Sequence, residues 1–124
     1  MTHELVTLIT PFCISMADPR VRQIKIKTGV VKRLTKEKLM YEKECVTQEE
    51  KIEKMKTDGK DEYDIKKQTE VLAESKQMIP DTLKRLKAAH EDLTTLLQKE
   101  DDLKESEEYK AAETILSEAN PVMA

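Results

Sequence analysis

Apolar side chains recur every three or four residues through most of this chain, which is the spacing of one face of an α-helix. The first such run opens with Asp18, a good helix N-cap, and Pro19, which suits the first helical position. Seven of its ten seam positions are apolar when Cys and Tyr are counted. The ten positions are Ile24, Lys27, Val31, Leu34, Lys38, Tyr41, Cys45, Gln48, Ile52 and Met55. This coiled-coil-like spacing predicts a long helix over about residues 18–56.

A turn at Asp58-Gly59 separates this run from a second one, in which eight of twelve seam positions are apolar. These positions are Ile65, Gln68, Leu72, Ser75, Ile79, Thr82, Leu86, Ala89, Leu93, Leu96, Glu100 and Leu103. Pro80 interrupts the run, because it lacks an N–H and its ring clashes with the preceding turn. Either the helix stops and restarts at Asp81, or it bends. The pattern keeps its phase across Pro80, so we expect one helix over about 62–101, kinked at Pro80, which then determines the shape of the rod.

The third helix is predicted from a shorter stripe that Ser106 can cap. Its apolar positions are Tyr109, Ala112, Leu116 and Ala119. Asn120-Pro121 is expected to end it, giving a helix over about 106–119 and a tail over 121–124. Two long helices and a short one with brief connections predict an all-α, antiparallel three-helix bundle over residues 16–120. Residues 1–15 are expected to be a disordered extension outside this fold.

The composition agrees with helices and adds an uneven distribution of charge. Charged residues make up 38% of the chain and aromatic residues 3%, and the net charge is −3. The segment from Arg20 to Glu44 contains nine basic and three acidic residues. The segment from Glu91 to Glu118 contains ten acidic residues and three lysines. One interpretation is that two neighbouring helices attract each other. The other is a basic face for an acidic partner.

Little catalytic or ligand-binding chemistry is available. The sequence contains no phosphate-binding glycine-rich loop and no zinc-protease motif, and its imidazoles are His3 and His90. Cys13 and Cys45 are far apart, which fits a reducing compartment, and Cys45 on the seam is expected to be a packed thiol. We therefore predict no enzyme activity and no catalytic, cofactor-binding or metal site. Apolar residues interrupt the basic ones, which argues against nucleic acid, and no apolar run approaches the ~20 residues of a membrane span.

Several segments from Met16 to about Ala119 resemble one known family. They are Met16–Leu34 (MADPRVRQIKIKTGVVKRL), Tyr41–Glu44 (YEKE), Gln48–Met55 (QEEKIEKM), Tyr63–Gln68 (YDIKKQ), Glu74-Ser75, Met78–Asp81 (MIPD) and Glu107–Lys110 (EEYK). Together they resemble the tubulin-folding cofactor A family, also called tubulin-specific chaperone A. The opening block and the MIPD segment are the specific parts, whereas residues 1–15 and 120–124 have no counterpart in the family pattern.

The resemblance implies a three-helix bundle that works in the cytoplasm in association with the cytoskeleton. Such proteins bind β-tubulin after its release from the chaperonin and pass it towards later tubulin-folding cofactors that assemble the αβ heterodimer. They hydrolyse no nucleotide. The alternative is a structural coiled-coil or trafficking adaptor that uses the same bundle for a different protein partner.

The residues themselves suggest candidates for client binding. One is a basic stripe that can meet acidic tubulin, made of Arg20, Arg22, Lys25, Lys32, Arg33 and Lys36. Tyr63 is a candidate anchor, whereas Tyr41 on the seam is better explained as core. Pro80 is expected to set the shape of the molecule rather than to touch the client.

Overall fold

A computed structural model describes residues 18–124, which form three helices and one short 3₁₀ turn. Helix α1 spans Pro19–Thr57, helix α2 spans Glu62–Lys99, and helix α3 spans Glu107–Met123, with the 3₁₀ turn at Asp101–Leu103 between the last two. The all-α three-helix bundle predicted from the sequence is confirmed. The predicted extension over residues 1–15 lies outside the described residues.

Helix α1 begins and ends with the local chemistry that its sequence indicates. The Asp18 carboxylate accepts a hydrogen bond from the backbone N–H of Arg20 at 2.9 Å, and Pro19 occupies the first turn. At the other end the N–H of Gly59 donates to the carbonyl of Lys56, and that of Lys60 to Met55. This pair of bonds is a Schellman motif, which requires a left-handed residue, and Gly59 supplies it with φ of 71°. The turn therefore reverses the chain sharply into α2.

Helix α2 continues through Pro80 and is followed by a tight connection to α3. Its unbroken span agrees with one helix rather than two, while the kink at Pro80 remains a prediction. Glu100 and the 3₁₀ turn follow Lys99, two residues before the predicted end. The Ser106 hydroxyl then accepts from the N–H of Tyr109 at 3.2 Å, so the predicted cap of α3 is confirmed.

The predicted end of α3 is wrong, because the helix continues past Pro121 to Met123. Pro121 removes one hydrogen bond, to the carbonyl four residues earlier, but it lies in the last turn, where few helical bonds remain to be disturbed. Val122 and Met123 are half-buried and pack against the main core. Burial of these two side chains favours continuation of the helix over the stop that the sequence suggests.

The predicted seams form the interior of the bundle. Every seam position of all three helices is buried or half-buried. The main core contains eleven buried residues: Val21, Ile24, Val31, Leu34, Leu86, Leu93, Leu97, Leu103, Tyr109, Ala112 and Ala119. A smaller cluster of Cys45, Ile52 and Leu72 lies nearer the turn that joins α1 and α2. Packing is therefore concentrated at the end of the molecule where α3 lies.

The length of α3 explains this difference between the two ends. It has 17 residues, against 39 in α1 and 38 in α2. It starts beside Lys25 and Thr28 of α1 and spans about 25 Å at 1.5 Å per residue. Helix α3 therefore lies beside α1 only as far as about residue 40 of α1. Residues 40–80 are a two-helix projection, called here the distal hairpin.

Candidate functional site

One side of α1 points away from the seam and is exposed along its length. With 3.6 residues per turn, three positions in every seven face away from the seam. From Arg22 to Thr47 all of these positions are exposed. They form the outer face of α1: Arg22, Lys25, Ile26, Gly29, Lys32, Arg33, Lys36, Leu39, Met40, Lys43, Val46 and Thr47. The outer face is a strip about 38 Å long on a rigid helix.

The charge on the outer face has a single sign. Six of its twelve residues are lysine or arginine, and from Arg22 to Thr47 none of these positions carries Asp or Glu. The acidic residues of this part of α1 lie beside the seam instead, where Glu37 is 3.9 Å from Arg33 and Glu42 is 2.5 Å from the buried Lys38. Such a strip attracts acidic surfaces over about a Debye length and repels basic ones.

Arg20 does not lie with the other five stripe residues predicted from the sequence. Its guanidinium is 2.8 Å from Asp18, 3.0 Å from Glu100 and 2.9 Å from Asp102, at the base of the bundle. The hydrogen bonds that it donates to Asp18, then to Asp102 and Glu100, raise the pKa of Arg20 above its usual range. The side-chain and backbone hydrogen bonds from Arg20 lower the pKa of the Asp18 carboxyl. Arg20 therefore ties the start of α1 to the end of α2.

This cluster supports the first interpretation of the charge asymmetry for part of α1. A second ion pair joins Lys27 of α1 to Asp92 of α2. Lys25 lies at the edge of the outer face that borders α3, where it lines a shallow cleft of about 230 Å³ with Thr28, Glu107, Glu108 and Ala111. The basic segment thus contributes both to attraction between helices and to the outer face.

The two other residues singled out from the sequence lie apart from the stripe. Tyr63 is 60% exposed in the first turn of α2, with the Lys67 ammonium 5.2 Å from its ring centroid. It lies about 30 Å along the rod from Lys36, so one small contact cannot include both. Pro80 is exposed, and Tyr41 is half-buried, as its seam position predicts.

Sequence reasoning missed three of the four apolar members of the outer face, the fourth being Ile26, which is 50% exposed. Leu39, Met40 and Val46 are 49%, 48% and 54% exposed. Counting the seam also identifies the positions opposite it, and those positions already contain these apolar residues. The sequence therefore contains the information that these three residues are exposed, but the pattern of charge by itself does not show it.

Among residues 18–124, no group of three or more His, Cys, Asp or Glu side chains is arranged to hold a metal ion. None of the described helices is long and apolar enough to cross a membrane. Cys45 is a buried free thiol, as predicted.

The fold and the outer face together define a class of protein: a small helical bundle with an elongated, exposed and basic face on its first helix. The family profile described as "Tubulin binding cofactor A" matches residues 19–116. The chain therefore belongs to the tubulin binding cofactor A family.

Individual relatives agree with this assignment. The chain is 67% identical over 101 residues to a protein of Gallus gallus named "Tubulin-specific chaperone A", covering 82% of this chain and 94% of the relative. The solved structure titled "human tubulin chaperone cofactor a" has 60% identity and a TM-score of 0.72, covering 82% of this chain and 99% of that one. The structure of tubulin folding cofactor A from Arabidopsis thaliana has 39% identity and a TM-score of 0.75, covering 83% and 97%.

Proposed function

We propose that this chain is a tubulin-folding cofactor that binds β-tubulin after chaperonin release and passes it to later tubulin-folding cofactors for αβ heterodimer assembly. It acts in the cytoplasm, in association with the cytoskeleton, and hydrolyses no nucleotide. The observation that carries this proposal is the match to tubulin-specific chaperones over 82% of the chain. The six cations of the outer face add a physical reason for an acidic client.

A rigid helical face suits temporary storage of an incomplete subunit. The outer face is preformed on one helix, so binding requires little ordering of the backbone. Its charge speeds encounter with an acidic partner, and the complex can dissociate when a more extensive interface replaces it. In this proposal the cofactor covers a surface of β-tubulin until β-tubulin is passed to a later cofactor.

The test is complex formation by the full chain with separated β-tubulin, followed by size-exclusion chromatography, with α-tubulin as the comparison. A defined complex with β-tubulin alone is expected. Failure of the folded chain to bind β-tubulin, with its helices verified by circular dichroism, would exclude the cofactor assignment and favour an adaptor with another protein partner.

A matched pair of charge variants tests whether the outer face takes part. The face variant carries Arg22→Gln, Lys32→Gln, Arg33→Gln and Lys36→Gln. The control carries Lys60→Gln, Lys66→Gln, Lys84→Gln and Lys87→Gln, which are also exposed and change the net charge equally. We expect slower association and a weaker salt dependence for the face variant only. Equal behaviour of the two variants would show that net charge, not the outer face, directs binding.

The absence of nucleotide hydrolysis is tested separately. The chain alone, incubated with ATP or GTP, is expected to release phosphate no faster than buffer. Phosphate release that survives further purification would contradict this part of the proposal.

A further inference from the structure

The outer face of α1 changes character along its length. Towards the start of α1 the exposed residues are mainly cations, whereas Leu39, Met40 and Val46 follow further along and surround Lys43. Each of the three apolar residues is three or four positions from Lys43, and Leu39 and Val46 are seven apart, so their side chains lie around Lys43 on one side of the helix. The three side chains are 48–54% exposed although two of them are among the larger apolar residues of the chain. They form a small exposed patch, called here the apolar patch.

The core of the bundle does not account for the apolar patch. Position 39 is where α3, which starts beside Lys25 and Thr28, comes to its end. From there onwards α1 has only α2 as a neighbour, and α2 lies on the seam side. Several exposed apolar side chains grouped on one helix face, where no other part of the bundle packs, are a candidate surface for contact with another molecule.

The charges around the patch restrict what that molecule can be. Lys36 and Lys43 lie one turn away from Leu39 and Met40, and Arg33 lies on the same face. A second copy of this chain would bring two all-cationic strips together, which is unfavourable. A partner with acidic groups around an apolar centre satisfies both the charges and the exposed side chains. Gly29, where an added methyl group would meet nothing within 4 Å, leaves a shallow point on the same face for close approach.

We propose that Leu39, Met40 and Val46 form the apolar anchor of a docking site on the outer face, with the flanking cations as its electrostatic guide. The occupant is an acidic surface of the client, with an apolar centre that seats against the patch. This inference rests on the proposed function, because it takes β-tubulin as that client. It assigns two different roles: the cations set the rate of association and the apolar patch sets the lifetime of the complex.

The distal hairpin provides a matched control for this assignment. Val71 and Met78 are seven residues apart on α2, as Leu39 and Val46 are on α1, and they are 43% and 37% exposed. Lys76 of α2 forms an ion pair with Glu49 of α1 and so marks one side of the hairpin. Val71 and Met78 lie 140° or more around α2 from Lys76, which places them on the other side. Val46 is on the Glu49 side of α1, so the two apolar pairs lie on opposite sides of the hairpin.

The experiment compares the full chain with two double variants, Leu39→Ala/Val46→Ala and Val71→Ala/Met78→Ala, in stopped-flow binding to labelled β-tubulin. Alanine is the best helix former and all four positions are exposed, so both variants are expected to keep the helical content of the parent chain. The first variant is expected to bind about tenfold more weakly or worse, through faster dissociation with an unchanged salt dependence. The second is expected to stay within about twofold of the parent.

Each outcome has a definite meaning. Equal affinities of all three proteins, or equal losses in both variants, would overturn the apolar anchor while leaving the proposed function intact. A parent chain that does not bind β-tubulin would instead contradict the proposed function. Binding of the parent chain to vesicles of phosphatidylserine, lost in Leu39→Ala/Val46→Ala, would overturn the protein occupant in favour of a membrane surface.

Discussion

Tyr109 joins the third helix to the end of the second through one buried hydrogen bond. Its hydroxyl donates to the carbonyl of Leu97 at 3.1 Å, and only 6% of the residue is exposed. Burial is the main cause that raises the pKa of this phenol, with smaller contributions from Asp101 and Glu113. A tyrosine whose pKa is higher in the folded than in the unfolded chain stabilises the fold while neutral. That contribution is lost as pH rises through the folded pKa.

Replacing Tyr109 by Phe is therefore expected to have two effects. At neutral pH the loss of the hydrogen bond lowers the free energy of unfolding by about 1 kcal/mol. Above about pH 10, where an ordinary tyrosine ionises, the parent chain loses stability with pH more steeply than the variant. Urea unfolding of both proteins from pH 7 to pH 11 measures this difference. Parallel pH profiles would contradict the assignment.

The two glycines are expected to respond in opposite directions to alanine. Gly29 lies in an exposed helix interior with open space around it, so Gly29→Ala is expected to stabilise the free chain by about 1 kcal/mol. Gly59 has φ of 71°, a conformation that a side chain disfavours, so Gly59→Ala is expected to destabilise by about 1 kcal/mol. Thermal unfolding of the two variants beside the parent chain tests both signs. Two shifts in the same direction would show that backbone conformation does not decide the outcome.

Burial of individual residues was predictable, but their long-range partners were not. Periodicity assigns Ile24 and Leu93 to the interior, where both are fully buried, because the period of a helix fixes which side of it each residue occupies. The partners of Arg20 at Glu100 and Asp102 are eighty or more residues away in sequence. Their proximity depends on the register between α1 and α2 and on the 3₁₀ turn, neither of which a single-helix pattern contains.

At the scale of elements, alanines allow α3 to lie close to its neighbours. Ala112 and Ala119 are fully buried, whereas Ala111 is exposed beside Lys25. A larger side chain at position 112 would therefore have to displace core residues, whereas one at position 111 would extend into solvent.

The substitution Ala112→Leu is expected to lower the free energy of unfolding by about 1–3 kcal/mol through overpacking. Its neighbour substitution, Ala111→Leu, is expected to change it by less than about 0.5 kcal/mol. Urea unfolding of the two variants measures the difference. Both replace one alanine of α3 by leucine, so the two variants have the same composition. Comparable stabilities of the two variants would mean that α3 does not pack through Ala112.

The boundaries of the elements were predictable where capping is local and less so elsewhere. Asp18, Gly59 and Ser106 define ends through bonds within a few residues, and the sequence identifies all three. The end of α3 depends instead on burial of Val122 and Met123 against the core, which outweighs the local signal of Pro121. For the candidate site, the exposed basic stripe was predictable from α1 alone, except for Arg20.

At the scale of the whole molecule, the two ends of the bundle differ in how much they bury. Eleven buried residues form the core around α3, against three in the cluster of the distal hairpin. Lys38 and Thr82 are also buried at or near the base of the hairpin, and the buried side-chain oxygen of Gln48 has no hydrogen-bond partner. Fewer apolar contacts imply a lower free energy for local opening there.

Hydrogen exchange is expected to show this gradient along the chain. Amides of residues 42–78 should exchange through local opening faster than those of residues 86–97 and 109–119, which exchange near the limit of global unfolding. Native-state exchange with mass spectrometry in increasing urea measures the two groups. Uniform protection along α1 and α2 would show that the bundle opens as one unit.

The Schellman turn at Gly59 has a practical consequence for following this protein in action. It forms the tip of a rod whose first helix is about 58 Å long, at the opposite end from the Arg20 ion cluster. Lys60 at this tip is exposed and lies away from both the outer face and the main core. A dye attached to Lys60 lies at the far end of the rod. Its rotational diffusion should report when a small 14.3 kDa rod becomes part of a larger complex.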